Sequence, residues 1–171
     1  MLLQELFDYK NVLIRKLVTD PQIVHLVNED IDFEDAGSLI YTQIFPYEYL
    51  PETTEHGHTF ICAEVDISRV QNKTFLYPTL YIWEFTHKSK LRLPSEDGGG
   101  VRTDRLCEAI ARNISGSREF GLGELELYSV KRFAPMSDFN GKLMMYQAKD
   151  INRLYDPNKF VPNNRKENVY T

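Results

Sequence analysis

Leu2, Leu6, Tyr9, Leu13 and Leu17 recur at the spacing of a single helical face, with Glu5, Lys10, Arg15 and Lys16 off the stripe. The pattern predicts an amphipathic helix over the first 17 residues. Asp20-Pro21 follows, a capping side chain with proline at the first helical position, and opens a short second helix through Ile23, Val24 and Val27. Farther along, Ile61, Ala63, Val65 and Ile67 alternate with Cys62, Glu64 and Asp66, the mark of a half-buried strand. In Phe75–Thr86, Tyr81, Trp83 and Phe85 share one face, and Leu80 and Ile82 the other. Pro78 predicts a break or an edge position early in that strand. The two runs make a β-hairpin.

A helix capped by Thr103 or Asp104 comes next, with Leu106, Ile110 and Ile114 as its buried stripe and Gly116 as its stop. Leu125, Leu127 and Val130 predict a third strand whose alternation slips near Ser129, as at a bulge. Asn140-Gly141 reads as the turn into a fourth strand, Lys142–Asp150. The predicted fold class is α+β: a four-stranded, mainly antiparallel sheet, β-hairpin–helix–β-hairpin, packed with helices. An N-terminal helical hairpin precedes it, and extended arms leave it.

Between the helices and the sheet the pattern fails. Residues 29–35 hold five acids in seven positions, and 41–51 is aromatic and proline-punctuated (Tyr41, Phe45, Pro46, Tyr47, Tyr49, Pro51). This predicts an extended arm, because proline cannot donate to a ladder while the rings pack down. The expected organisation is a single domain over 1–151, with helices at 1–28, the arm at 29–57 and the sheet with its helix at 58–151. A polar tail follows at 152–171, with five asparagines and few aliphatics.

Composition narrows the functional classes. The 171 residues are 42% hydrophobic and 26% charged, enough to bury a core without disulfides or metal. No apolar stretch reaches membrane length, and the start lacks a basic leader region, so synthesis in the cytosol is expected. Twenty basic against 25 acidic side chains leave −5, too acidic for a general nucleic-acid binder. Cys62 and Cys107 are expected as free, buried thiols.

Catalytic constellations are thin. His56 and His58 with Glu52 and Glu55 could begin a metal site but lack a clear further ligand. Asp30, Asp32 and Glu34 lack the glycine and terminal glutamate of a calcium loop. Gly98-Gly99-Gly100 precedes a helix without the lysine of a phosphate loop. Glu64 and Asp66 with Lys73 lack a nuclease's spacing. No catalytic residue, cofactor or metal is expected, and the chain is not expected to be an enzyme.

Thr79-Leu80-Tyr81-Ile82-Trp83-Glu84-Phe85, Val101-Arg102-Thr103-Asp104-Arg105-Leu106-Cys107 and Gly141-Lys142-Leu143-Met144-Met145-Tyr146, with the N-terminal helix, resemble a head–tail connector (neck) protein of tailed bacteriophages. The tail terminator, or tail completion, type is the most similar. The resemblance covers roughly residues 1–150 as an order of elements. It implies a structural virion protein, a homohexameric ring at the head–tail junction, assembled in the host bacterial cytoplasm. Such a ring caps the tail tube and joins it to the head connector or stopper protein, while DNA passes through its channel without tight or specific binding.

By that analogy Lys88, Lys90, Arg92, Gly98, Gly99 and Gly100 form the loop that contacts the tube or lines the channel. Tyr41, Phe45, Tyr47, Tyr49, Arg153, Lys159 and Arg165 belong to arms that hold neighbouring subunits. The long aromatic arm and the C-terminal extension are not obligatory in that type. Another neck ring (stopper or adaptor) therefore stays open, as do a cytosolic peptide-binding module and a small metal-dependent hydrolase using His56 and His58.

Overall fold

A computed structural model describes residues 3–51, 57–70 and 74–154. Helix α1, Leu3–Val18, buries Leu13, Ile14 and Leu17. Helix α2, Pro21–Val27, starts where its proline and cap require: the Asp20 carboxylate accepts the backbone N–H groups of Gln22 (2.9 Å) and Ile23 (3.2 Å). The sheet comprises β1 (Ile44–Phe45), β2 (Thr59–Val70), β3 (Phe75–His87), β4 (Glu126–Phe133), β5 (Phe139–Gln147) and β6 (Asp150–Ile151). Helix α3, Arg102–Ile114, connects the two hairpins. The fold is α+β, its four long strands are the two predicted hairpins, and the order across the sheet is β1-β2-β3-β5-β4. All long pairings are antiparallel.

Pro78 breaks the ladder at one point. Its carbonyl accepts the Ala148 N–H, but it has no N–H to return, and β5 stops at Gln147. The strand resumes as β6 in unchanged register, Leu76 opposite Asp150 and Phe75 opposite Ile151. The slip expected near Ser129 is a register shift between Leu127 and Ser129.

Three local expectations are corrected. Asn140-Gly141 is not a turn. Both residues lie inside β5 opposite Thr86 and Phe85, and the chain reverses earlier, before Phe139. Gly141 is there because the strands crowd it: a Cβ would sit 1.8 Å from the Glu84 carbonyl oxygen. Nor do Thr103 or Asp104 cap α3. Val101 occupies the cap position without a side-chain bond, and Thr103 is buried inside the helix. Arg102 anchors that end instead, donating to the carbonyls of Lys90 and Leu26 (2.9 Å each) and to Glu29 (3.2 Å).

The third correction concerns the segment after α2, which lies on the body. A 3₁₀ turn, Phe33–Leu39, buries Ala36 and Leu39, and β1 pairs in parallel with Ile61 and Cys62 of β2. Proline at 46 ends that pairing after two residues; Phe45 and Tyr49 pack down, whereas Tyr41 and Tyr47 stay exposed.

All three α-helices cover one face of the sheet. Ile61, Ala63, Val65, Leu80, Ile82, Met144 and Tyr146 meet Leu13, Leu17, Leu106 and Ile110 in the main core. On the opposite face Phe45, Phe60, Cys62, Phe85 and Phe139 form a second, smaller cluster.

Candidate assembly surfaces

The expected tube-contact loop folds tightly. Arg102 N–H donates to the Leu91 carbonyl and Leu93 N–H to that of Gly100, and Arg92 bridges Val101. Gly98, Gly99 and Gly100 all take positive φ (81°, 62° and 92°), which lets the chain double back in so few residues. Lys88 is paired with Asp138, and Lys90 with Glu29 at 2.6 Å. The Lys90 hydrogen bond, with help from Arg102, holds the Glu29 carboxyl below its usual range. Arg92 is exposed. Two of the three cations in this stretch therefore bind the chain's own acids.

The aromatic positions divide. Phe45 is 4% exposed and stacks on half-buried Tyr49 at 4.0 Å between ring centroids. Tyr49 also stands 5.5 Å from Phe60, closing the aromatic cluster. Tyr41 is 65% exposed and has φ of 66°, a conformation rare outside glycine; its ring lies 6.3 Å from that of Tyr47, also exposed. Arg153 pairs with Glu5 at 3.6 Å. Lys159 and Arg165 lie outside the described residues, as do Glu52, Glu55, His56 and Lys73.

Sequence reasoning missed two surfaces. One is the middle of the sheet face opposite the helices. Tyr81 and Trp83 stack at 5.8 Å beside Leu143 and Met145, and all four side chains are half-buried with no helix over them among the described residues. The other is β4, whose outer side pairs with no strand among the described residues. Leu127 (41%), Tyr128 (70%) and Val130 (42%) are exposed along it. The bulge that spoiled the alternation was the available signal, because bulges concentrate at sheet edges.

Buried polar groups serve the frame. A cleft of about 180 Å³ near Arg102 is crossed by Gln43, which donates to the carbonyls of Val27 and Thr59 (3.1 Å each) and accepts from Asn28 (2.8 Å). Glu84 lies on the helical face at 0% exposure, and neither carboxyl oxygen makes a hydrogen bond of ordinary geometry. Burial pushes its pKa well up, against the pull of the Lys142 charge. Lys142 is itself held by Asp104 at 2.7 Å. Cys62 and Cys107 are free thiols; burial raises the pKa of the first to about 11 and also raises that of the second. Among the described residues no group of three histidine, cysteine or acidic side chains could hold a metal ion, and no helix is long and apolar enough to cross a membrane.

These features define an α+β protein whose distinctive surfaces, among the described residues, are a half-exposed aromatic patch and an outer strand without a partner on one side. The chain belongs to the YomW family, a phage-associated family whose model matches residues 11–148, from within α1 to the end of the main sheet. No curated protein matches the sequence.

Proposed function

We propose that the protein is a structural subunit of the phage neck, without catalysis, which forms a ring that caps the tail tube and joins it to the head connector or stopper protein. The observation that carries this reading is the one-sided helical cover. It leaves Tyr81, Trp83, Leu143 and Met145 half-exposed, and the outer side of β4 has no strand partner among the described residues; neighbouring subunits or the tube would cover both surfaces. The phage-associated family and the α+β fold support the reading. A net charge of −5 suits a channel wall along which DNA slides without being held. The hexamer, the tube contact and a place in the virion come from the resemblance of the sequence to tail terminators.

The test is light scattering over a concentration series with negative-stain images of each fraction. Particles near six times 20.0 kDa, seen end-on as rings with a hole, are the expected result. A monomer at every concentration that also ignores added tail tubes would overturn the proposal.

A further inference from the structure

The two outer strands of the sheet complement each other. We propose that copies of this chain join head to tail by antiparallel pairing of β4 of one copy with the free stretch of β2 of the next, Lys131 lying opposite Asp66 of that copy. The proposal deepens the ring reading and depends on it only for closure into a ring.

Strand direction allows this joint. Neighbours along β2-β3-β5-β4 are antiparallel, so β2 and β4 run oppositely, and placing β4 beside the next β2 continues the sheet in the same sense. Backbone polarity allows it too. The Pro78 carbonyl faces β5, where it takes the Ala148 N–H, so alternate residues of β3 face β5. Following the paired residues outward puts the N–H and C=O of Val130 and Arg132 on the open side of β4. On the other edge Ile61 turns outward, donating to the Gln43 carbonyl, and Val65 and Ile67 follow it in alternation. β1 covers only Ile61 and Cys62, leaving the stretch beyond without a strand partner among the described residues.

With Lys131 opposite Asp66, Val130 meets Ile67 and Arg132 meets Val65, each pair turning its polar groups to the other. The faces also agree. Val130, Arg132, Val65 and Ile67 lie on the helical side, and Lys131 and Asp66 on the other. Lys131 and Asp66 are both exposed, and neither pairs with another charge among the described residues. Opposite charges directly across two strands stabilise the pairing, and like charges oppose it.

A lone copy guards one of these donors. The outward Val65 N–H is taken by the side chain of its neighbour Glu64 at 3.0 Å, and Lys10 of α1 holds that carboxylate in an ion pair. In the joint the Arg132 carbonyl of the adjoining copy replaces Glu64 at this N–H. The Val65 donor is thus occupied in the monomer and is released to a strand that supplies the acceptor. A subunit guarded in this way resists chance edge pairing before it reaches its assembly site.

Cross-linking tests the joint. Asp66→Cys and Lys131→Cys are made on separate chains, mixed at up to millimolar concentration and oxidised. Directly opposed residues of an antiparallel pair lie within disulfide reach. The mixture is expected to yield covalent dimer at least tenfold above either variant alone, and a chain carrying both changes to yield a ladder of oligomers. No dimer above the single-variant controls would overturn the joint, as would a dimer formed instead by Glu126→Cys with Lys131→Cys, the mark of a two-fold β4–β4 contact.

Charge reversal gives a second reading. Asp66→Lys or Lys131→Glu is expected to weaken each joint roughly fivefold, and the two together to restore it. Assembly indifferent to either reversal would count against the pairing. Rings without cross-links would overturn the joint and leave the ring reading standing. A ladder that grows into open filaments would support the joint and overturn the ring.

Discussion

The helical face of the sheet presents Ile61, Ala63, Leu80, Ile82 and Met144, all fully buried, whereas the other face presents Phe60, Phe85 and Phe139 at one end and half-exposed Tyr81, Trp83, Leu143 and Met145 beyond them. The first face is sealed by three helices whose aliphatic stripes pack into it. Among the described residues, the second is covered at one end, where Phe45 and Tyr49, returning from the segment after α2, lay their rings on Phe60 and where Phe133 and Met136 pack against the same cluster. The contrast separates two uses of apolar surface. Aliphatic side chains covered by regular elements hold the fold, while the half-exposed aromatic stretch buries less area and adds less stability.

Leu80→Ala should break the sealed face most severely, costing ~3–5 kcal/mol in urea unfolding, because a fully buried leucine leaves a cavity between sheet and helices. Glu84→Gln sharpens the same face. The folded carboxyl titrates above its unfolded value, so the native state keeps its proton after the unfolded chain has lost it. Its contribution is complete below the unfolded pKa near 4.5 and falls as pH rises toward the folded pKa, by at most about 1.4 kcal/mol per pH unit. The glutamine variant should therefore gain on the native protein as pH is raised from 4 to 7, read from paired urea midpoints. A gap that stays constant with pH would mean that Glu84 is not protonated in the fold.

Trp83→Ala tests the open face and should cost only ~1–2 kcal/mol, since the ring is half-exposed, while reducing ring formation in light scattering. A loss equal to that of Leu80→Ala would erase the distinction between the faces. Asp20→Ala is the smallest change, about 1 kcal/mol for the lost cap of α2, measured by thermal unfolding.

The sequence showed most clearly what depends on near neighbours. The stripe of α1, the cap and proline of α2, the alternation in β2 and β3, the break at Pro78 and the slip near Ser129 all rest on periods of a few residues. Asn140-Gly141 misled because the same dipeptide suits a turn and a point where strands crowd. Only the approach of Glu84, far back in the chain, distinguishes the two. The start of α3 depends on a similarly remote contact: Arg102 reaches Leu26, 76 residues away, and that contact replaces a local cap.

The surfaces were harder to read than the elements. Lys88 and Lys90 looked like a free basic loop, yet their acids, Asp138 and Glu29, lie 50 and 61 residues away. Only the slip near Ser129 signals the exposure of β4, because Leu127 and Val130 taken alone suit a buried strand, yet both are exposed. The sequence by itself determined which segments are helices and strands and which of their faces are apolar, because hydrophobic periodicity and turn chemistry act over a few residues. Only the tertiary structure decided which edge stays open, which charges are spent on one another and which aromatic rings are covered, because those outcomes depend on contacts between residues remote in the chain.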